Sequence, residues 1–263
     1  MRTNRKDLRV VGMALALVWG GAAIVCAQTN QAVETPVWNS SAGAGVNITR
    51  GNSKTMALNG TIRSEAKTGG NETTLGAEAN YGEAEETQAD GSKATTKNVD
   101  NDRVFAQYRR LLSERSFASF NAELLKDDIA GIDYRLTLGP GAGYYFLKSD
   151  AQNFMTEVGP AYITEELKGS DGLKTRNEHW ALRLAERYER KLSATAKCWE
   201  MAEYLPVFDD FNNYLVNAEA GVEAALTARV GMRLVGQYKH NSRPAEGKKS
   251  DDSILIAGLT AKF

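Results

Sequence analysis

From residue 37 to the C-terminus, apolar and polar residues trade places at every second position, segment after segment. Residues 37–49 set Trp38, Ala42, Ala44, Val46 and Ile48 in one phase against Asn39, Ser41, Asn47 and Thr49 in the other. The same rhythm returns in residues 55–67, 72–82, 100–112, 116–125, 134–147, 153–164, 179–190, 214–224, 228–239 and 253–263. Alternation with period two predicts strands, because successive side chains leave a pleated backbone on opposite faces. Residues 193–205 are ambiguous, since Trp199 and Met201 share a phase with Lys197 and Glu203. That makes about twelve strands of a length suited to crossing a bilayer at a tilt.

The connections follow a rhythm of their own. Every second gap is a short turn: 68–71, 113–115, 148–152, 191–192 and 225–227. Most of the others read as longer polar loops: 84–99, 126–133, 165–178, 206–213 and 240–252, with the short gap 50–54 as the exception. An up-and-down membrane barrel has short periplasmic turns and longer outer loops. A soluble barrel would need a greasy interior, and its loops would have no reason to alternate in length.

The two phases differ in kind. Aromatics gather near strand ends in the apolar phase, at Trp38, Tyr81, Tyr108, Tyr144, Phe146, Tyr188, Tyr214, Tyr238 and Phe263, as interfacial girdles would. The polar phase carries Arg63, Glu65, Glu78, Arg103, Arg109, Glu123, Arg135, Glu157, Arg183, Arg187, Glu219, Glu223, Arg229, Arg233 and Lys239. These are expected to face the lumen, with both signs interleaved. They suit either a narrow pore that filters small solutes or a lumen closed by cross-strand ion pairs.

The N-terminus changes where this happens. Arg2, Arg5, Lys6 and Arg9 precede the apolar run 10–25, and Val25-Cys26-Ala27 offers a small-residue cleavage site. Residues 1–27 are expected to be a secretory signal, 28–36 a short periplasmic segment and 37–263 the barrel. An uncleaved anchor and a lipid-modified Cys26 fit less well, for the run is short and Val25 is bulky. Cleavage removes four bases and one acid, taking the net charge from -1 to about -4 (-1 minus 3). Nothing basic is left to suggest nucleic acid as a partner. Only Cys198 would remain, so no intrachain disulfide is possible.

The ordered motifs Thr49-Arg50-Gly51-Asn52-Ser53, Gly141-Ala142-Gly143-Tyr144-Tyr145-Phe146, Tyr204-Leu205-Pro206, Asn217-Ala218-Glu219-Ala220-Gly221 and Gly258-Leu259-Thr260-Ala261-Lys262-Phe263 cover most of the mature chain. Together they resemble the salt-induced outer-membrane protein family, whose function is uncharacterised. The resemblance implies an outer-membrane barrel with a signal peptide and supplies no catalytic residues. The last strand, ending on Phe263, resembles the closing strand of bacterial outer-membrane barrels, which implies outer-membrane lipid and the barrel-assembly machinery as partners.

Candidate chemistry is sparse. With His179 and His240 the only histidines, a multi-histidine metal site is not expected. The carboxylates of 83–90, Asp127-Asp128 and Asp209-Asp210 lack cation-loop spacing and read as hydrated, bridged loosely at most by divalent ions. Cys198 reads as a packing residue. The expectation is a non-enzymatic outer-membrane barrel without cofactor or metal, either a small-solute pore or an envelope-integrity protein. The competing reading is a barrel hydrolase of lipid or peptide using His179 as base.

Overall fold

The computed structural model describes residues 35–49, 54–87 and 92–263. The expected signal segment, the gap at 50–53 and part of the acidic stretch 83–90 lie outside the described residues. Twelve antiparallel strands close into one barrel in chain order, β12 returning to β1. They are β1 Val37–Thr49, β2 Lys54–Thr68, β3 Asn71–Thr87, β4 Lys93–Leu111, β5 Ser116–Asp127 and β6 Ile132–Lys148. The second half is β7 Gln152–Lys168, β8 Lys174–Lys191, β9 Ala196–Val207, β10 Asp210–Ala225, β11 Val230–Asn241 and β12 Asp251–Lys262.

Closure is needed because an open sheet of this length would leave two unpaired edges. The seam pairs Ser41 with Lys262 through Gly45 with Gly258. Phe263 extends it, its N–H donating to the Ser40 carbonyl at 3.0 Å while its own carbonyl accepts from the Ser40 N–H at 3.3 Å. Both ends of the chain in the barrel thus meet at one rim, which also carries the tight turns (the turn end). The β2–β3 turn shows why these are tight: Gly69 and Gly70 both take positive φ, 52° and 80°, as a two-residue hairpin loop demands.

The opposite rim departs from expectation. Residues 84–87 and 93–99, expected in a long loop, continue the β3–β4 ladder. Likewise β7 and β8 pair out to Lys168 and Lys174. Polar residues above an apolar band satisfy their backbone just as well in a ladder, and pairs such as Lys93–Glu85 at 2.8 Å fasten the extension. Among the described residues the long connection is that of β11–β12, 242–250.

That connection folds inward. Ala245 is buried among Leu125, Ile132 and Leu167 of β5, β6 and β7, on the far wall of the ring. The Ser170 N–H and hydroxyl both donate to the Glu246 carbonyl at 3.0 Å. Ser242 and Tyr214 exchange two hydrogen bonds at its root, and Arg243 pairs with Asp210. The segment therefore crosses the mouth of the barrel.

Register fixes the two faces. Outward aromatics form one belt at the turn end, where Phe146, Phe154 and Tyr188 are in ring contact at 5.7 and 6.5 Å. A second belt at the loop end includes Tyr162–Trp180 at 5.3 Å and Tyr204–Tyr214 at 5.5 Å. Between them the exposed surface is largely Leu, Val, Met and Ala. The ambiguous strand resolves cleanly: Lys197, Trp199, Met201, Glu203 and Leu205 all share the inner face of β9. Cys198 lies on the outer one.

Candidate functional site in the barrel lumen

The inner face is where charge collects, because alternation leaves it no other place. Arg103 of β4 reaches Glu123 of β5 at 2.7 Å and Glu78 of β3 at 3.5 Å. Arg135 of β6 meets Glu165 of β7 at 2.6 Å. Arg183 of β8 bridges Glu157 of β7, at 2.5 Å, and Glu203 of β9. Neighbouring strands thus hold opposite charges face to face, the sheet pairing that stabilises a pleated surface. Burial makes such pairs consequential in a way that rim pairs are not.

Neutral groups complete the lining. An asparagine ladder runs from Asn59 to Asn80 at 2.7 Å and on to Asn101 at 2.9 Å, and Arg233 of β11 donates to Asn59 at 3.0 Å. Glu219 accepts from Trp199 Nε1 at 2.8 Å and from Gln237 at 2.9 Å. Three inward rings lie flat against inward glycines: Phe105 on Gly76, Phe117 on Gly143 and Trp199 on Gly221. A Cβ at any of these glycines would overlap the ring. In the polar phase of β6, Gly143 thus makes room for the Phe117 ring, while Gly141 makes room for the Ser119 and Glu157 side chains and Gly139 for the backbone at Pro160.

Apolar clusters narrow both ends. Toward the turn end Phe117, Tyr145 and Met155 pack together, with Phe117 1% exposed. Toward the loop end Ala161, Ile163, Ala181 and Leu205 form a second cluster joined by Leu215. Between them lies a cavity of about 160 Å³, several times what one water needs.

Of the residues expected to line the lumen, Arg63, Glu78, Arg103, Arg109, Glu123, Arg135, Glu157, Arg183, Arg187 and Glu219 border this cavity. Glu65 lies beside them, bonded to Arg63 at 2.6 Å. Glu223 pairs with Lys262 at 3.1 Å on the inner face near the turn end. Arg233 reaches Asn59, and Lys239 borders smaller spaces toward the loop end. Arg229 is a correction: β11 begins only at Val230, which leaves Arg229 exposed in the turn. The inward rings and apolar clusters were hidden in the sequence, since they sit in phases dominated by polar residues.

His179 lies on the inner face opposite Ile163, and among the described residues it forms no hydrogen bond or ion pair. His240, expected to begin the loop 240–252, lies instead within β11, next to its last residue, with its Nδ1 2.8 Å from Asp251 and its ring stacked on Tyr214 at 5.3 Å. The acidic pairs do not converge. Asp127 caps the Ala130 N–H at 2.9 Å, while Asp210 faces Arg243 on another loop. Among the described residues no group of three or more potential ligands could hold a metal ion.

A closed antiparallel barrel with apolar belts outside and ion pairs inside has the architecture of the outer-membrane barrels. The NanC porin shares the fold at a TM-score of 0.51, with 9% identity over 86% of this chain and 100% of that chain. The translocator domain of the autotransporter NalP from Neisseria meningitidis matches at 0.45, with 15% identity over 98% and 96%. The KdgM porin matches at 0.43, with 9% identity over 86% and 99%. The chain itself belongs to the family DUF481, proteins of unknown function, which it matches over residues 42–263. No protein of curated function matches the sequence.

Proposed function

We propose that this chain is a non-enzymatic barrel of the bacterial outer membrane that passes small polar solutes through a narrow, charge-lined lumen. The observation that carries the reading is the inversion of polarity. Buried ion pairs fill the inside, while Trp180, 57% exposed, and the other belt aromatics stand outside. Water-soluble barrels have the reverse arrangement, and backbone groups facing lipid need the closed ladder seen here. In this reading 1–27 direct export and are removed, and the strand ending at Phe263 engages the outer-membrane assembly machinery. The turn end then faces the periplasm and the 242–250 segment covers the outer mouth.

A second reading has its own support. The lumen is narrowed by two apolar clusters and crossed by paired side chains, as a purely structural barrel serving envelope integrity, for instance under salt stress, would be. Conductance of the refolded protein in planar bilayers separates the two. Discrete current steps support the pore; a silent bilayer with inserted protein leaves the structural barrel. A hydrolase has the least support, since among the described residues no side chain hydrogen-bonds His179.

A further inference from the structure

The lumen charges are unequally satisfied. Arg103, Arg135 and Arg183 each bond a carboxylate on a neighbouring strand. Glu157 accepts from Ser119 at 2.7 Å, from Asn121 at 2.5 Å and from Arg183, all through Oε1, while its Oε2 stays 4.0 Å from Arg109. Glu219, spent on Trp199 and Gln237, takes no cation at all.

Three other arginines face the same cavity from three separate strands. Arg63 of β2 and Arg187 of β8 bond only glutamates two residues along their own strands, Glu65 at 2.6 Å and Glu189 at 3.4 Å. Arg109 of β4 is worse off. Its nearest carboxylate oxygens, on Glu72 and Glu157, lie at 3.9 and 4.0 Å, beyond hydrogen-bond reach, and its buried Nε has no partner. Arg63, Arg109 and Arg187 border one cavity, with Glu219 on its lining too. Burying cations with loose pairing is costly, and an anion seated among them would take up the donors left unspent, Arg109 Nε first.

We propose that Arg63, Arg109 and Arg187 form a binding site for a small oxyanion, phosphate-sized, in the turn-end half of the lumen. Planar guanidinium forks suit two oxygens of one anion at once. The lining deepens the pore reading, on which it depends for the anion's route: it gives the passage a preference for anions.

The site is testable without any current. Inorganic phosphate is titrated calorimetrically at low salt into the refolded full barrel in detergent, alongside Arg109→Gln, Arg187→Gln and the outer-rim control Arg176→Gln. Saturable binding is expected in the parent and the control, with either lumen variant weaker by about tenfold or more, as loss of a charged hydrogen bond implies. Absence of saturable binding in the parent overturns the site, as does undiminished binding in folded Arg187→Gln, whose loose pairing leaves little to destabilise. Binding without conductance would retire the pore and keep the site; conductance without binding would do the opposite.

Discussion

The Arg183 guanidinium donates to Glu157 at 2.5 Å, and the carboxylate that receives it is only 2% exposed. Glu157→Ala would leave Arg183 with Glu203 alone and orphan Ser119 and Asn121, so a loss of about 1–3 kcal/mol is expected in urea unfolding of the refolded barrel. The double variant with Arg183→Ala should cost less than the sum of the two. By contrast the exposed pair Arg176–Glu178, at 2.9 Å, should change stability by about 0.5 kcal/mol or less when Arg176 becomes Gln.

The 242–250 segment holds its place through Ala245, 5% exposed among side chains of β5, β6 and β7. Ala245→Asp places an unpaired charge in that cluster and should release the segment. Larger single-channel steps than the parent's are expected, with barrel stability little changed because no ladder bond is lost.

Gly221 lets Trp199 lie against β10 and reach Glu219. Gly221→Val forces the indole away and breaks that bond. A shift in Trp199 emission is expected, together with a destabilisation of about 1–3 kcal/mol typical of overpacking.

Glu186 and Glu200 stand on the outer face of β8 and β9, opposite Thr156 or Ala202 and Tyr188 or Ala220, without ion pairs among the described residues. A carboxylate facing lipid is unfavourable, less so than Lys or Arg at the midplane. Replacing each by Leu should stabilise the barrel in vesicles by about 1 kcal/mol, read from folding titrations. No gain is expected in detergent, where water reaches both.

The strands were legible because each must alternate by itself: Val37–Thr49 was readable to the residue, and the others to within a few at their ends or, for β3, β4 and β8, somewhat more. The ends slipped where the pattern turns polar, as at Thr87 and Lys93, since hydropathy cannot distinguish a solvated ladder from a loop. Arg229 falls one position before the start of β11. What the sequence concealed is non-local. Nothing in residues 242–250 marks Ala245 as the partner of Leu125 and Leu167, and no local signal pairs Trp199 with Gly221. The lumen charges were readable as a set, but which arginine would sit beyond hydrogen-bond reach of a carboxylate depends on register between strands.

The most direct test uses tryptophan. Trp180 stands on the outer belt and Trp199 inside against Gly221. Variants keeping only one of them, refolded into vesicles with brominated lipid tails, should show strong quenching of Trp180 and little of Trp199. Equal quenching of the two, or none of Trp180, would contradict a barrel that turns its apolar face to lipid and its charges inward.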